Sequence, residues 1–287
     1  MRIAGAPISW GVCEVPGWGY QMAPERVLTE MRQLGLTATE FGPQGWLPVE
    51  PAARAAAVSG YGLTPVGAFF LAVMHDPGVD PMPAVERELD AFEVAGGDYL
   101  ILACDSGRDG YDARPVLDEV GWKTLFGNLV KIRDYAASRG VTACVHPHWG
   151  TMIQNVEEVE KLLDETGMGL CLDTGHLAAG GADVVSLVQK YADRVKIVHA
   201  KDVHRDMTDK LLTGELAWSD GVKAGMFAPI GQGDIDFAAV VTALDGVGFD
   251  GYYVLEQDIM LDAEPPAGSG PIDNARISFE ALKALAG

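Results

Sequence analysis

The sequence predicts a single (β/α)8 TIM barrel on three observations. Eight short apolar runs each end in polar residues, helical patterns lie between them, and no linker or low-complexity stretch divides the chain. The runs are RIAGAP (2–7), TATEFG (37–42), TPVGAFF (64–70), DYLILACD (98–105), VTACVHPH (141–148), GLCLDTGH (169–176), VKIVHAKD (195–202) and YYVLEQD (252–258). Their bodies are continuously apolar, as expected of parallel strands covered on both faces; half-exposed antiparallel strands would alternate. Helices are expected over 24–34, 83–95, 123–139, 156–166 and 237–244, where apolar residues recur at steps of three and four. Gly35, Gly140 and Gly167 follow the last turns as C-cap glycines do, and Pro24 and Pro83 stand near first turns, where a missing N–H costs little. No G-x-G-x-x-G turn opens a helix after a strand, which argues against a dinucleotide fold. The Gly- and Asp-rich stretch within 203–233, after the seventh run, reads as an inserted lid, because barrel active sites are closed by such loops.

Composition narrows the functional classes. A chain of 287 residues, 48% of them hydrophobic, has material for one large core. The formal net charge of -20 and the lack of a basic track exclude nucleic acid and anionic membranes as expected partners. Cys13, Cys104, Cys144 and Cys171 are widely spaced, three of them inside apolar runs, and read as reduced structural thiols. No charged n-region with a long apolar stretch opens the chain and no later segment is apolar enough to span a bilayer, so a cytoplasmic protein is expected. The acidic surface and Trp-rich loops permit a homo-oligomer without demanding one.

Catalytic groups of a barrel sit at the carboxyl ends of its strands. Here strand five ends in His146-Pro147-His148, strand six in Asp173-Thr174-Gly175-His176, strand seven in His199-Ala200-Lys201-Asp202 and strand eight in Glu256-Gln257-Asp258, while strand two adds Glu40. Each has a bland alternative: Asp173 as a helix cap, a histidine bonded within the core, His199 and Lys201 in surface pairs. Four successive strands ending in nitrogen or oxygen donors favour one site over four coincidences. Two carboxylates and two imidazoles suit Mn²⁺, Co²⁺, Fe²⁺ or Zn²⁺ better than Mg²⁺ or Ca²⁺, with Mn²⁺ or Co²⁺ the leading expectation. Such a metal would polarise a substrate carbonyl and acidify the neighbouring C–H. Trp10, Trp18, Trp149 and Glu40 are candidates for shaping the pocket, since flat indoles pack on the C–H face of a sugar ring.

The order DTGH, HAKD, VLEQD resembles the xylose isomerase-like superfamily of sugar isomerases and epimerases, over essentially the whole chain. Within it, GAPISWG, TEFG and HPHWGTMIQ resemble inosose dehydratase and related inositol-catabolism proteins. The resemblance implies that Asp173, His199 and Glu256 are metal ligands and that His176 and Arg205 contact substrate oxygens. The superfamily's isomerases carry Glu where this chain has His146, the expected fourth ligand with His148 as the alternative on that strand, and in the epimerases that Glu is one of two opposed bases. Its replacement shifts the expectation from two-base epimerisation toward elimination of water from a cyclic polyol ketone such as 2-keto-myo-inositol. Glu256, His148, Lys201 and His176 are the candidate acids and bases. Aldose–ketose isomerisation or epimerisation, elimination from a 3-keto-glycoside, and sugar binding without catalysis are the alternatives.

Overall fold

In a computed structural model, which describes residues 1–286, eight parallel strands close into a barrel. They are β1 (Arg2–Gly5), β2 (Ala38–Thr39), β3 (Thr64–Pro65 and Gly67–Ala72), β4 (Tyr99–Cys104), β5 (Thr142–Val145), β6 (Gly169–Asp173), β7 (Val195–Ala200) and β8 (Tyr252–Leu255). The two pieces of β3 close the ring. Thr64–Pro65 pairs with β2, Gly67–Ala72 pairs with β4, and Val66 carries the ladder between them by donating to Thr39 and accepting from Tyr99. The predicted barrel is therefore what the chain forms, and every expected run contains a strand.

Ten helices bear on the argument: α1 (Pro24–Leu34), α2 (Pro51–Gly60), α3 (Met82–Ala95), α4 (Glu119–Ser138), α5 (Val156–Thr166), α6 (Thr174–Ala179), α7 (Val184–Tyr191), α8 (Arg205–Leu212), α9 (Trp218–Lys223) and α10 (Phe237–Asp245). A last helix over Pro271–Leu285 closes the outer ring. Gly35 and Gly167 adopt the left-handed conformation expected of C-caps. The sequence pattern for 169–176 ran one strand into a helix: β6 ends at Asp173, and His176 lies in the first turn of α6.

Two apolar layers hold the barrel, and a third cluster around Trp18, Trp218 and Phe227 packs the segment after β7. The larger packs the helices onto the outside of the strands. The smaller fills the barrel with Ala4, Ala38, Val66, Ile101, Cys144, Cys171, Ile197 and Val254 among others. Because side chains along a strand return to the same face every second residue, this interior layer fixes what lies above it. Two residues beyond Ala38, Cys144, Cys171, Ile197 and Val254 come Glu40, His146, Asp173, His199 and Glu256. Two further on come His148, Lys201 and Asp258. The apolar interior thus gives way to two polar tiers at its carboxyl end.

The insertion after β7 is ordered. It forms α8, α9 and a two-residue strand, Phe227–Ala228, that runs antiparallel to Asp202–Val203. The Asp202 carboxylate, fully buried, accepts backbone N–H bonds from Gly231, Gly233 and Ile235 at 2.9–3.0 Å. In the HAKD segment Lys201 faces the barrel mouth and Asp202 anchors the returning loop.

Candidate active site

The first polar tier is compact. One donor atom from each of His146, Asp173, His199 and Glu256 lies within 4.8 Å of the other three. His146 Nε2 is 3.2 Å from Asp173 Oδ2, and His199 Nδ1 is 2.5 Å from Glu256 Oε2 and 3.8 Å from Asp173 Oδ2. Asp173 serves two purposes: Oδ1 accepts the His176 N–H at 2.7 Å as the cap of α6, while Oδ2 faces the cluster. The bland reading and the site reading of that residue hold together.

The far side of His199 is fixed by Glu40. Nε2–H donates to Glu40 Oε1 at 2.8 Å, which leaves Nδ1 facing the Asp173 and Glu256 carboxylates. A carboxylate behind the ring is the usual means of fixing a metal-binding imidazole. His146 Nδ1 and His199 Nδ1 are both buried without hydrogen-bond geometry to any neighbour. Buried polar atoms without partners are costly, and a divalent cation among two imidazoles and two carboxylates would satisfy His199 Nδ1. The donor set therefore fits such an ion. Burial opposes charge on His199, but Glu256 and Glu40 outweigh it and hold its pKa well above the ordinary value.

The second tier centres on Lys201, fully buried, whose Nζ lies 3.2 Å from Asp173 Oδ2, 3.2 Å from Glu256 Oε1 and 2.9 Å from Asp258 Oδ1. Burial opposes the ammonium, yet the three carboxylates keep its pKa well above that of a free lysine. Thr174 ties the strands beneath it, donating Oγ1–H to the Lys201 carbonyl at 2.7 Å. The stem of Lys201 runs over Gly175, where an added Cβ would lie 2.5 Å from Lys201 Cγ. Burial raises the Asp258 carboxyl to about 7, against the attraction of Lys201.

The peptide of Trp149 sets the tautomers of two histidines. His148 Nδ1 lies 2.7 Å from the Trp149 carbonyl, which can only accept, so His148 carries its proton on Nδ1 and a lone pair on Nε2. The Trp149 N–H points at His176 Nδ1 at 3.3 Å, so His176 carries its proton on Nε2, 3.6 Å from Asp258 Oδ2. Burial lowers both pKa values, that of His148 to about 3, and both rings are neutral near pH 7. The rings lie 3.9 Å apart, and Trp218 from α9 stacks on His176 at 4.9 Å.

A cavity of about 430 Å³ opens onto these tiers, its site wall formed by Glu40, Tyr111, His148, Trp218, Glu256 and Asp258. Lys201 and His176 stand behind that wall and reach the cavity through Asp258. Three sequence-named residues lie elsewhere, and these are corrections. Trp10 is fully buried, because a 3-10 turn over Pro7–Trp10 directs its indole inward, where the N–H donates to Glu30 Oε2 at 2.8 Å. Trp149 stacks on Trp218 at 5.9 Å and touches the cavity only through it. Arg205, in the first turn of α8, is exposed and lines no part of the cavity. Sequence reasoning missed Tyr111, Trp218 and the role of Asp258. Only Asp258 left a signal, its place two residues beyond Glu256.

Comparison with known proteins agrees with this architecture. The chain is 29% identical over 286 residues to an inosose dehydratase of Geobacillus thermodenitrificans, covering 96% of this chain and 94% of that protein. It is 31% identical over 295 residues to the rhizopine catabolism protein MocC of Rhizobium meliloti, covering 100% of this chain and 89% of that protein. Among solved structures, the IolI protein with a bound zinc atom superposes with a TM-score of 0.70 at 14% identity, covering 99% of this chain and 98% of that one, a likeness of fold. The model of one family, described as xylose isomerase-like TIM barrel, matches residues 28–285, and the chain belongs to that family.

Proposed function

We propose that this enzyme eliminates water from a cyclic polyol ketone of the 2-keto-myo-inositol type. The observation that carries the reading is the convergence of His146, Asp173, His199 and Glu256 beneath a cavity whose wall presents one unprotonated imidazole nitrogen, His148 Nε2. Full-length similarity to an inosose dehydratase supports the choice of reaction. The four-residue cluster would hold a divalent cation, with nitrogen and oxygen donors suiting Mn²⁺ or Co²⁺, then Zn²⁺ or Fe²⁺, ahead of Mg²⁺. Bound there, the ion would polarise the substrate carbonyl and acidify the adjacent C–H.

The residues of the chain do the rest. His148 Nε2 removes the α-proton, and the electron pair of that C–H bond moves to form the carbon–carbon double bond as the β-hydroxyl departs. Asp258, on the same cavity, returns a proton to that hydroxyl, which leaves as water. Lys201 holds Asp258 in place at 2.9 Å, with His176 Nε2 nearby at 3.6 Å. His146 stands where the isomerases carry Glu, which removes one of the two opposed bases of epimerisation and favours elimination. Trp218 and Tyr111 supply flat apolar surface for the C–H face of the ring, and the insertion bearing Trp218 acts as the lid that excludes water. The charge of -20 repels sugar phosphates but not a neutral polyol.

The test is incubation of Mn²⁺- or Co²⁺-loaded protein with 2-keto-myo-inositol, followed by mass and ultraviolet absorbance. Loss of one water with a dione chromophore is expected, and His148→Asn should lower kcat by roughly 10²–10⁴-fold. A product of unchanged mass would mean isomerisation and overturn the reading.

A further inference from the structure

The cavity continues well beyond the catalytic wall. Its far arm runs between the loop after β2 and helices α2 and α3, where Gln44, Arg54, Phe41 and Glu88 line it. A bare six-membered ring ketone with five hydroxyls has twelve heavy atoms. A volume of about 430 Å³ holds roughly fourteen waters at ~30 Å³ each, and covalently bonded atoms pack closer than separate waters. A ring of that size does not account for the whole volume.

The arm contains a prepared polar element. Arg54 is 9% exposed. Its Nε donates to the Pro48 carbonyl at 3.4 Å, its Nη1 donates to Glu88 Oε1 at 3.2 Å, and its guanidinium lies 5.2 Å from the Phe41 ring centroid. Nη2 has no hydrogen-bond partner among the described residues and is not sealed from solvent. A guanidinium held at two nitrogens and backed by an aromatic face has its third nitrogen fixed as a donor. Glu88 Oε2 is likewise without a partner, so donor and acceptor stand side by side.

The chemistry of that pair selects its ligand. An anionic group would gain Arg54 but face Glu88, whereas a hydroxyl both accepts and donates and satisfies the two together. We infer that Arg54 and Glu88 form a second binding element for a neutral, hydroxyl-bearing substituent attached to the ring, so that the preferred substrate is a substituted cyclic polyol ketone. The inference rests on the ring-ketone reading of the catalytic end.

The test compares 2-keto-myo-inositol with its mono-O-(2-hydroxyethyl) regioisomers, measuring kcat/KM for each and Kd by calorimetry. At least one regioisomer should exceed the bare ketone in the native protein, and Arg54→Gln and Glu88→Gln should each cut that preference about tenfold. Equal kcat/KM for all compounds, or a preference unchanged in both variants, overturns the second element while leaving the dehydratase reading intact. If no ketone of either kind binds or reacts, the dehydratase reading falls and this one with it.

Discussion

Gly175 shows how much of the site depends on what a residue lacks. It lies in the first turn of α6, where helix propensity alone would make Gly→Ala stabilising by about 1 kcal/mol. The Lys201 stem, however, occupies the space a Cβ would need, with Cγ at 2.5 Å and Cδ at 2.6 Å. Lys201 lies among three carboxylates and cannot shift without leaving some of them unpaired. Breaking a buried charge pair in this way typically costs about 3–5 kcal/mol. Gly175→Ala should therefore lower the melting temperature and depress kcat, as thermal denaturation and steady-state kinetics would register. A variant as stable as the parent would mean that Lys201 is not fixed by its neighbours. The sequence marked Asp173, His176 and Lys201 as polar in an apolar context, but it could not reveal that the glycine between two of them is the floor under the third. That relation joins β7 to α6 and exists only in three dimensions.

At the scale of elements, strand ends were legible and loop orientations were not. A strand's alternation propagates from its apolar interior, so His146, Asp173, His199 and Glu256 share a tier because Cys144, Cys171, Ile197 and Val254 share the one beneath. The orientation of Trp10 and Arg205 follows no such rule. One depends on a 3-10 turn after β1 and the other on which side of α8 meets solvent. The insertion after β7 was visible as a composition change, yet its use depends on how it returns. Asp202 gathers the N–H groups of Gly231, Gly233 and Ile235, the Phe227 carbonyl accepts from Gln257 Nε2 at 2.9 Å, and Trp218 is thereby brought onto His176. If the insertion serves as the lid, Trp218→Ala should raise KM for the ring ketone by roughly tenfold, since a buried aromatic contributes a large apolar contact, and should lower kcat through loss of water exclusion. Asp202→Asn, which removes charge from the anchor without touching the cavity, should change KM in the same direction. Unchanged KM in both variants would separate the insertion from substrate binding.

The whole molecule concentrates negative charge where its barrel opens. Of the buried groups in the two tiers, Glu40, Asp173, Glu256 and Asp258 are carboxylic and Lys201 is the one lysine, against a protein background of -20. Such a concentration would normally weaken the compact state by self-repulsion, and a divalent cation held by the folded cluster relieves it. An ion that binds only the folded chain stabilises it by RT ln(1 + [M]/Kd), about 2.7 kcal/mol when the free ion is 100 times Kd. For domains of 150–250 residues each kcal/mol moves the melting temperature by roughly 2–4 °C, so saturation with Mn²⁺ or Co²⁺ should raise it by about 5–10 °C and chelation should reverse the gain. The effect should vanish in Asp173→Asn, which keeps an acceptor at the cap of α6 through its amide oxygen but removes one charged donor from the cluster. Differential scanning calorimetry with and without chelator, paired with elemental analysis of the same samples, distinguishes this from general screening of an acidic surface. Screening would follow ionic strength, act equally with Ca²⁺, and persist in the Asp173 variant. A rise that persists there would place the stabilising ions on the surface instead of in the barrel mouth.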